Sequence, residues 1–210
     1  MLISYNELLD LRDKGVIQTR DRATGELKPV EISDINGTSI DVYLDHTIKV
    51  ERRPSLGEHI VSLKHKDRLT MTPVDIAEGF YDLKPGEFIL ASTVEVFNLP
   101  ADISIEFKLN SSGARIGLEN ALATWGDPHW NGSTLTLELK NFSQYHTIRL
   151  HDGVRIGQII FHRSEPVPVD KGYAVRGRYN GDVGVQEVKN VEIAEPQVEA
   201  KPAKKGAKNG

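Results

Sequence analysis

At residues 135–140 the chain reads Leu-Thr-Leu-Glu-Leu-Lys, an alternation of apolar and polar side chains at every step. Because successive side chains of a β-strand point to opposite faces, this alternation predicts a strand whose three leucines face a core. Glu138 then lies on the opposite face of the strand. On periodicity alone this carboxylate is either an ordinary surface residue or a group that lines a pocket or a subunit interface.

The same pattern recurs on both sides of this segment. Residues 40–44 and 103–109 also alternate apolar and polar side chains, and shorter apolar runs occur at 88–90, 148–150 and 159–161. Clusters of Gly, Pro, Asn and Asp separate most of these runs, as expected of turns between strands. Many short strands with turns between them predict an all-β protein built as a sandwich, a jelly roll or a distorted barrel.

The two ends of the chain differ from this pattern. Ser4 and Glu7 have the spacing of a capping box, leucines follow at positions 8, 9 and 11, and Gly15 is a natural stop, so we predict a short N-terminal helix. A polar, turn-rich stretch covers residues 18–29. Residues 191–210 contain no aromatic residue and many Glu, Lys, Pro, Ala and Gly, which predicts a disordered tail behind a domain of residues 1–190.

The composition excludes several classes of protein. Hydrophobic residues make up 39% and charged residues 27% of the 210 residues, and no apolar run is long enough to span a bilayer. The net charge of −4 argues against a broad nucleic-acid-binding face. The N-terminus has no basic region followed by an apolar core, so we expect a cytoplasmic protein that has neither a membrane nor a nucleic acid as its partner.

The absence of cysteine restricts the chemistry further. Without cysteine the chain can form neither disulfides nor thiolate metal sites, and its seven histidines contain no HExxH pair. Common nucleobase deaminases activate water on a zinc ion that Cys and His hold. Any deamination by this chain must therefore proceed without such a zinc centre.

Two segments carry residues that suit an anionic ligand. Residues 109–118 read Leu-Asn-Ser-Ser-Gly-Ala-Arg-Ile-Gly-Leu, in which small residues, hydroxyls and a guanidinium are partners for phosphate. Residues 172–182 are basic, aromatic and glycine-rich, as a mobile lid over phosphates would be. An ordinary turn and a surface loop without function are the alternatives for these two segments.

Five motifs follow one another in a recognisable order. They are Ile-Asn-Gly-x-Ser-x-Asp-Val at 35–42, Ser-Ser-x-Ala-Arg-x-Gly-Leu at 111–118, Asp-Pro-x-Trp-x-Gly at 127–132, Leu-Glu-x-x-Asn at 137–141 and Arg-Ile-Gly-Gln-x-x-Phe at 155–161. Together they resemble the dCTP deaminase family of the dCTP deaminase and dUTPase superfamily, over roughly residues 1–185. The resemblance implies a distorted β-barrel or jelly roll of the dUTPase-like type, assembled as a homotrimer with active sites at subunit interfaces.

The resemblance also implies an activity and its residues. Members of the family hydrolyse dCTP to dUTP and ammonia, release pyrophosphate from dUTP, or do both, with Mg²⁺ bound through the substrate phosphates. Glu138 matches the general base and proton shuttle, and Ser111 and Arg115 match residues that order the attacking water. The implied substrate-binding residues are Ser112, Ala123, Thr124, Asp127, Gln158, Tyr173, Arg178 and Asp182. No metal ligand comes from the chain, and residues 172–190 are the implied C-terminal lid.

By the same resemblance the acid at position 138 favours deamination, because the branch of the superfamily that acts only on dUTP lacks an acid at this strand position. We therefore expect a dCTP deaminase that acts by zinc-independent general acid/base catalysis and yields dUTP. A dUTP diphosphatase and an enzyme that runs both steps are alternatives. A non-catalytic trimer is a third alternative, because Asn110 stands where the family usually has arginine and Asp182 where it favours glutamine.

Overall fold

The computed structural model describes residues 1–55, 60–121 and 123–189. Strands dominate these residues, which confirms the predicted all-β class. In chain order the strands are β1 (Ile17–Arg20), β2 (Leu27–Pro29), β3 (Ile40–Tyr43), β4 (Thr47–Glu51), β5 (Met71–Asp75), β6 (Phe80–Leu83), β7 (Phe88–Asn98), β8 (Ile103–Leu109), β9 (Leu118–Asn120), β10 (Trp125–Gly126), β11 (Asn131–Asn141), β12 (Ile148–His151) and β13 (Arg155–Arg163). Within the same residues the α-helices are α1 (Tyr5–Asp13), α2 (Ser111–Arg115) and α3 (Tyr173–Arg176), and 3-10 turns lie at Ile32–Asp34 and Val169–Lys171.

The described strands pair into three sheets and do not close into a single barrel. A seven-stranded sheet has the path β2-β1-β7-β11-β9, with β4 paired to β7 and β5 paired to β4. A four-stranded sheet has the order β10-β8-β13-β3, and β12 pairs with β6 in a third. Neighbouring strands in these sheets are antiparallel. The expected distorted barrel is thus an open arrangement of separate sheets.

The core receives side chains from both large sheets. Phe97 and Leu137 of the seven-stranded sheet belong to the same buried cluster as Phe107 and Phe161 of the four-stranded sheet. The side chains of β8 and β11 alternate as the sequence predicts. One face of each strand therefore supplies apolar surface, whose removal from water stabilises the fold. The segment predicted at 103–109 forms β8 residue for residue.

The N-terminal helix forms, but its predicted capping box does not. Ser4 is the N-cap residue of α1, yet its side chain makes no capping hydrogen bond. Glu7 instead accepts a hydrogen bond from Nε of Arg163 on β13 (2.8 Å). The guanidinium carries a full positive charge, whereas a backbone N–H carries only a dipole, which explains why this carboxylate turns away from the helix end. Gly15 ends the helix with a φ of 71°, as predicted.

The polar stretch at residues 18–29 is more ordered than its composition predicts. It contains most of an antiparallel hairpin of β1 and β2, in which Thr19 lies opposite Lys28. Asp21 closes the turn, because its carboxylate accepts hydrogen bonds from the N–H groups of Ala23 (3.0 Å) and Thr24 (2.9 Å). The predicted disordered tail at 191–210 lies outside the described residues. Among the described residues, none of the helices has the length and apolar character to cross a membrane.

The packing of β13 against β8 generates a prediction about Gly157. A Cβ atom at this position would lie 2.4 Å from Cε2 of Phe107 and 2.5 Å from the carbonyl oxygen of Lys108. We expect Gly157→Ala to lower the free energy of unfolding by about 1–3 kcal/mol, because the core cannot admit the methyl group without shifting backbone. Urea unfolding measures the change. Gly37→Ala is the matched control, since a Cβ there meets no atom within 4 Å, and equal stability of the two variants would contradict the prediction.

Candidate active site

A cavity of about 410 Å³ lies beside the polar face of β11. Three polar side chains of that strand line it, namely Thr134, Thr136 and Glu138. Its apolar and aromatic walls are formed by Leu69, Met71, Phe88, Leu90, Trp125, Trp130, Tyr173 and Tyr179. A pocket of this size, largely apolar and with a few convergent polar groups, is typical of a site for a small organic molecule.

Glu138 is the chemically distinctive group in this cavity. It lies on β11 opposite Leu90 of β7, and its backbone N–H donates to Oδ1 of Asn120 (2.9 Å). Its Oε2 atom is buried and has no hydrogen-bond partner among the described residues. Burial disfavours the charged form and raises the pKa of Glu138 from 4.5 to about 7. Near neutral pH this carboxyl can therefore both accept and donate a proton.

A second cavity reaches Glu138 from another side. It has a volume of about 430 Å³ and lies at the edge where β9 pairs with β11. Its other lining residues are Phe88, Glu119, Asn120, Ala121, Lys140 and Phe142. Phe142 is 62% exposed, so this side of the glutamate is bordered by apolar surface that faces solvent in the single chain.

The described part of the predicted lid, residues 172–189, covers the first cavity. Backbone N–H groups of Gly184 and Gln186 donate to the hydroxyls of Thr134 (2.9 Å) and Thr136 (3.1 Å) on β11. The indole of Trp130 donates to the carbonyl oxygen of Tyr179 (2.8 Å). The segment thus follows β11 and forms one wall of the cavity.

Three further residues from the sequence-based set join Glu138 in this cavity: Ala123, Tyr173 and Asp182. Tyr173 packs edge-on against Trp130, with ring centroids 6.3 Å apart, and burial raises the pKa of its phenol. Asp182 forms an ion pair with Lys189 of the same lid. The unusual acid at position 182 is therefore neutralised within its own segment.

The serine and arginine motif lies elsewhere in the single chain. Ser111, Ser112 and Arg115 form α2, are exposed, and are not among the residues that line either cavity. Asn110 caps this helix, because its Oδ1 accepts a hydrogen bond from the N–H of Gly113 (2.6 Å). Its Nδ2 donates to the carbonyl oxygen of Arg155 (2.7 Å). Asn110, which stands where the family usually has arginine, thus has both polar atoms of its side-chain amide bonded within the chain.

Four remaining residues of the predicted set do not line the cavity with Glu138: Thr124, Asp127, Gln158 and Arg178. Asp127 is exposed and accepts a hydrogen bond from the indole of Trp125 (2.9 Å). The side chain of Gln158 accepts one from Ser39 (2.9 Å) and so has a structural partner inside the chain.

Sequence reasoning missed part of the cavity wall. Asp67, Leu69 and Met71 come from a segment without a motif, and Glu187 lies beyond the part of the lid that the composition singled out. Trp130 was marked only by its place in the Asp-Pro-x-Trp motif. The described residues contain no group of three or more His, Asp or Glu that could hold a metal ion.

The comparison with known proteins identifies the family. A family model described as dCTP deaminase-like matches residues 11–164. The chain belongs to the dCTP deaminase-like family. Two relatives in this family are named "dCTP deaminase, dUMP-forming". The protein from Corynebacterium glutamicum (strain R) is 34% identical over 178 residues, which are 83% of this chain and 92% of the relative. The protein from Salinispora arenicola (strain CNS-205) is 36% identical over 178 residues, which are 83% of this chain and 91% of that relative.

A solved structure supports the fold of this family. The chain superposes on the 2'-deoxycytidine 5'-triphosphate deaminase from Agrobacterium tumefaciens with a TM-score of 0.59 at 19% identity. The match covers 78% of this chain and 48% of that chain, so this protein spans about half of the solved chain. At this identity the likeness concerns the fold and not the substrate.

The raised pKa of Glu138 predicts how stability depends on pH. Between pH 4.5 and about 7 the unfolded chain releases this proton while the folded chain keeps it, so the glutamate contributes less stability as pH rises. Glu138→Gln removes that loss. The unfolding free energy of the variant minus that of the parent should therefore rise by about 1–3 kcal/mol from pH 5 to pH 8. Urea unfolding at pH 5 and at pH 8 measures this rise. Glu119→Gln, at an exposed position, is the control, and an equal rise in both variants would contradict the prediction.

Proposed function

We propose that this protein catalyses the hydrolytic deamination of dCTP, with Glu138 as general base and proton shuttle. The observation that supports this most is the buried carboxyl with an unpartnered oxygen in a cavity lined by aromatic and apolar side chains. A buried polar atom without a partner is unfavourable, and such groups concentrate at functional sites. A water and a pyrimidine beside Glu138 would provide the missing partner.

The proposed chemistry follows from a carboxyl with a pKa of about 7. Glu138 takes a proton from water as the oxygen adds to C4 of cytosine, and it passes that proton to the ring nitrogen N3. Glu138 then takes the proton of the new C4 hydroxyl and gives it to the amino group, which leaves as ammonia while the C4–O bond becomes the carbonyl. A group whose pKa lies near the working pH suits both the basic and the acidic half of this sequence.

The walls of the cavity suit a pyrimidine ring. Trp125, Trp130 and Tyr173 supply flat apolar surfaces against which a base can pack, and Thr134 and Thr136 carry hydroxyls on the floor. In the described chain both hydroxyls accept hydrogen bonds from the lid. The lid and the floor would therefore enclose the base together and exclude bulk water from Glu138.

For the product we favour dUMP over the dUTP expected from the sequence. The two relatives described above are dUMP-forming by name and match more than four-fifths of this chain. The full reaction consumes two waters: the first converts dCTP to dUTP and ammonia, and the second converts dUTP to dUMP and pyrophosphate. We assign the positioning of the second water to Asp127, which is exposed and held by Trp125.

Magnesium would enter this site with the nucleotide. The family resemblance implies an ion that is bound through the substrate phosphates. When bound, Mg²⁺ neutralises phosphate charge. The residues of the chain would bind the nucleotide, move the proton at Glu138 and position the second water at Asp127.

We further propose that the active unit is a homotrimer whose sites combine residues of different copies. Ser111 and Arg115 are exposed on α2, although the family resemblance assigns them to the same site as Glu138. The second cavity at Glu138 is bordered by the exposed Phe142, and Ile116 beside α2 is 58% exposed. Apolar surface of this kind marks an interaction site. A neighbouring copy would cover it and bring its arginine to the glutamate.

The first test follows ammonia and pyrophosphate together after dCTP and Mg²⁺ are mixed with the protein. We expect equal amounts of both products. Glu138→Gln should lower the rate of ammonia release by at least about 10³-fold, because no base remains to activate water. Glu31→Gln, at an exposed residue that lines neither cavity, should retain activity. Ammonia without pyrophosphate would overturn the dUMP assignment, and no turnover of dCTP or dUTP would favour the non-catalytic trimer.

The pH dependence of the same reaction is part of this test. Because the base must be deprotonated, kcat/KM should fall about tenfold per pH unit below about pH 7. An acidic limb near the ordinary glutamate value of 4.5 would show that Glu138 is not the group that limits the rate.

The second test mixes two inactive variants. Glu138→Gln and Arg115→Ala chains are unfolded together and refolded, so that mixed assemblies form. If each site takes these two residues from different copies, some sites regain both wild-type residues, and a fraction of roughly a quarter to a third of the parental activity should return. Each variant refolded alone is the control. Absence of any recovery, with mixed assemblies demonstrated by mass, would place both residues of a site in one copy.

A further inference from the structure

The distal end of the lid carries an ion pair with the body of the protein. Nζ of Lys49 on β4 lies 2.7 Å from Oε1 of Glu187 in the lid. The two side chains are 23% and 24% exposed, so the pair is partly removed from water, where charges attract more strongly than on an open surface. Glu187 also lines the cavity that contains Glu138.

The register of the sheet connects this ion pair to the proposed catalytic residue. Lys49 on β4 lies opposite Leu90 on β7, and Leu90 lies opposite Glu138 on β11. Residues directly opposite one another in adjacent strands point to the same face of a sheet. Lys49 and Glu138 therefore share the cavity face, two strand spacings or about 10 Å apart. The lid passes over the row formed by Lys49, Leu90 and Glu138, and its Glu187 contacts Lys49.

Other contacts hold the lid in a different way. At the proximal end the carbonyl oxygen of Tyr179 accepts a hydrogen bond from Trp130 (2.8 Å). In the middle, backbone N–H groups bind the two threonine hydroxyls of the floor. At the distal end Nε of Arg68 donates to the carbonyl oxygen of Val188 (3.0 Å). Of the contacts named here between the described lid and the body of the protein, the Lys49–Glu187 pair is the one that joins two opposite charges.

We propose that Lys49 is a positioning residue that latches the lid over the cavity through Glu187. The pair has a second effect, because it neutralises an acid in the wall of a site that we propose binds an anionic nucleotide. Without the lysine, an unpaired carboxylate would face the substrate and the distal lid would lose its charged anchor. The expected consequence is weaker substrate binding with little change in the chemical step. The latch concerns the closed lid, and only its kinetic consequence rests on the proposed function.

The test observes the lid directly, through the fluorescence of Trp130. The indole is 6% exposed and is covered by the lid. In a Trp125→Phe background Trp130 is the remaining tryptophan, since the chain has two. We expect Lys49→Glu and Glu187→Lys each to raise the quenching of this indole by acrylamide, because like charges push the lid away. The double exchange Lys49→Glu with Glu187→Lys should restore the parental quenching.

The control is an exchange of the ion pair between Asp10 of α1 and Lys14, the residue that follows the helix. This pair has a similar separation of 2.6 Å and lies outside the cavity. Asp10→Lys and Lys14→Glu should leave the quenching unchanged. Lys49→Met and Glu187→Gln repeat the test without introducing a repulsive charge, and circular dichroism confirms that each variant is folded.

Kinetics give the second readout. Lys49→Glu should raise KM for dCTP by roughly fivefold or more while kcat changes less than twofold, and the double exchange should reverse the rise in KM. Unchanged quenching in the single variants, or a double exchange that fails to restore it, would overturn the latch. If the parent protein lacks deaminase activity, the quenching series still decides the latch, so the two proposals fail separately.

Discussion

The pairing of β7 with β11 is the interaction on which both the core and the site depend. The two strands have 11 residues each and pair from Phe88 opposite Lys140 to Asn98 opposite Asn131. Side chains of a strand alternate between faces, so a slip of one residue would turn Glu138 into the core and Leu137 out of it. The ladder contains a register shift between Thr134 and Thr136, where the hydroxyl of Thr93 accepts a hydrogen bond from the N–H of Leu135 (3.1 Å). That bond satisfies the backbone at the irregularity and preserves the register on either side.

Burial of a carboxyl is not by itself a mark of catalysis in this molecule. Glu95 on β7 is 1% exposed, and burial raises its pKa to about 8, further than that of Glu138. It accepts a hydrogen bond from the N–H of Tyr43 (3.0 Å), and it does not line the cavity beside β11. Desolvation acts on both residues. The difference is that Glu138 combines a raised pKa with an unpartnered oxygen and a cavity large enough for a nucleobase, and this combination supports its proposed role.

Local patterns in the sequence predicted the strands well and the site only in part. Alternation at 103–109 matches β8 because the period of two is a property of neighbouring residues. The Ser-Ser-Gly segment suggested a turn, yet Asn110 caps it as a short helix. The cavity wall was beyond reach of such patterns, because its contacts join distant parts of the chain: Arg68 binds a carbonyl 120 residues later. Residues that act across copies, as we propose for Arg115, leave no periodic signal in one chain.

The way in which the lid is attached suits a segment that must open for a substrate to enter. Two backbone hydrogen bonds join it to β11, from the N–H of Gly181 to the carbonyl oxygen of Asn131 (2.9 Å) and from the N–H of Thr134 to that of Asp182 (3.0 Å). Its bonds to the threonine hydroxyls are separate from these, so the lid is held by individual hydrogen bonds and not by a long β-ladder. Val185 is the one buried aliphatic side chain of the described lid. Opening of the lid therefore exposes little apolar surface to water. Segments with few buried apolar contacts open at a small fraction of the free energy of global unfolding. A partly buried ion pair is then large enough, relative to this small free energy, to shift the balance between the open and closed lid.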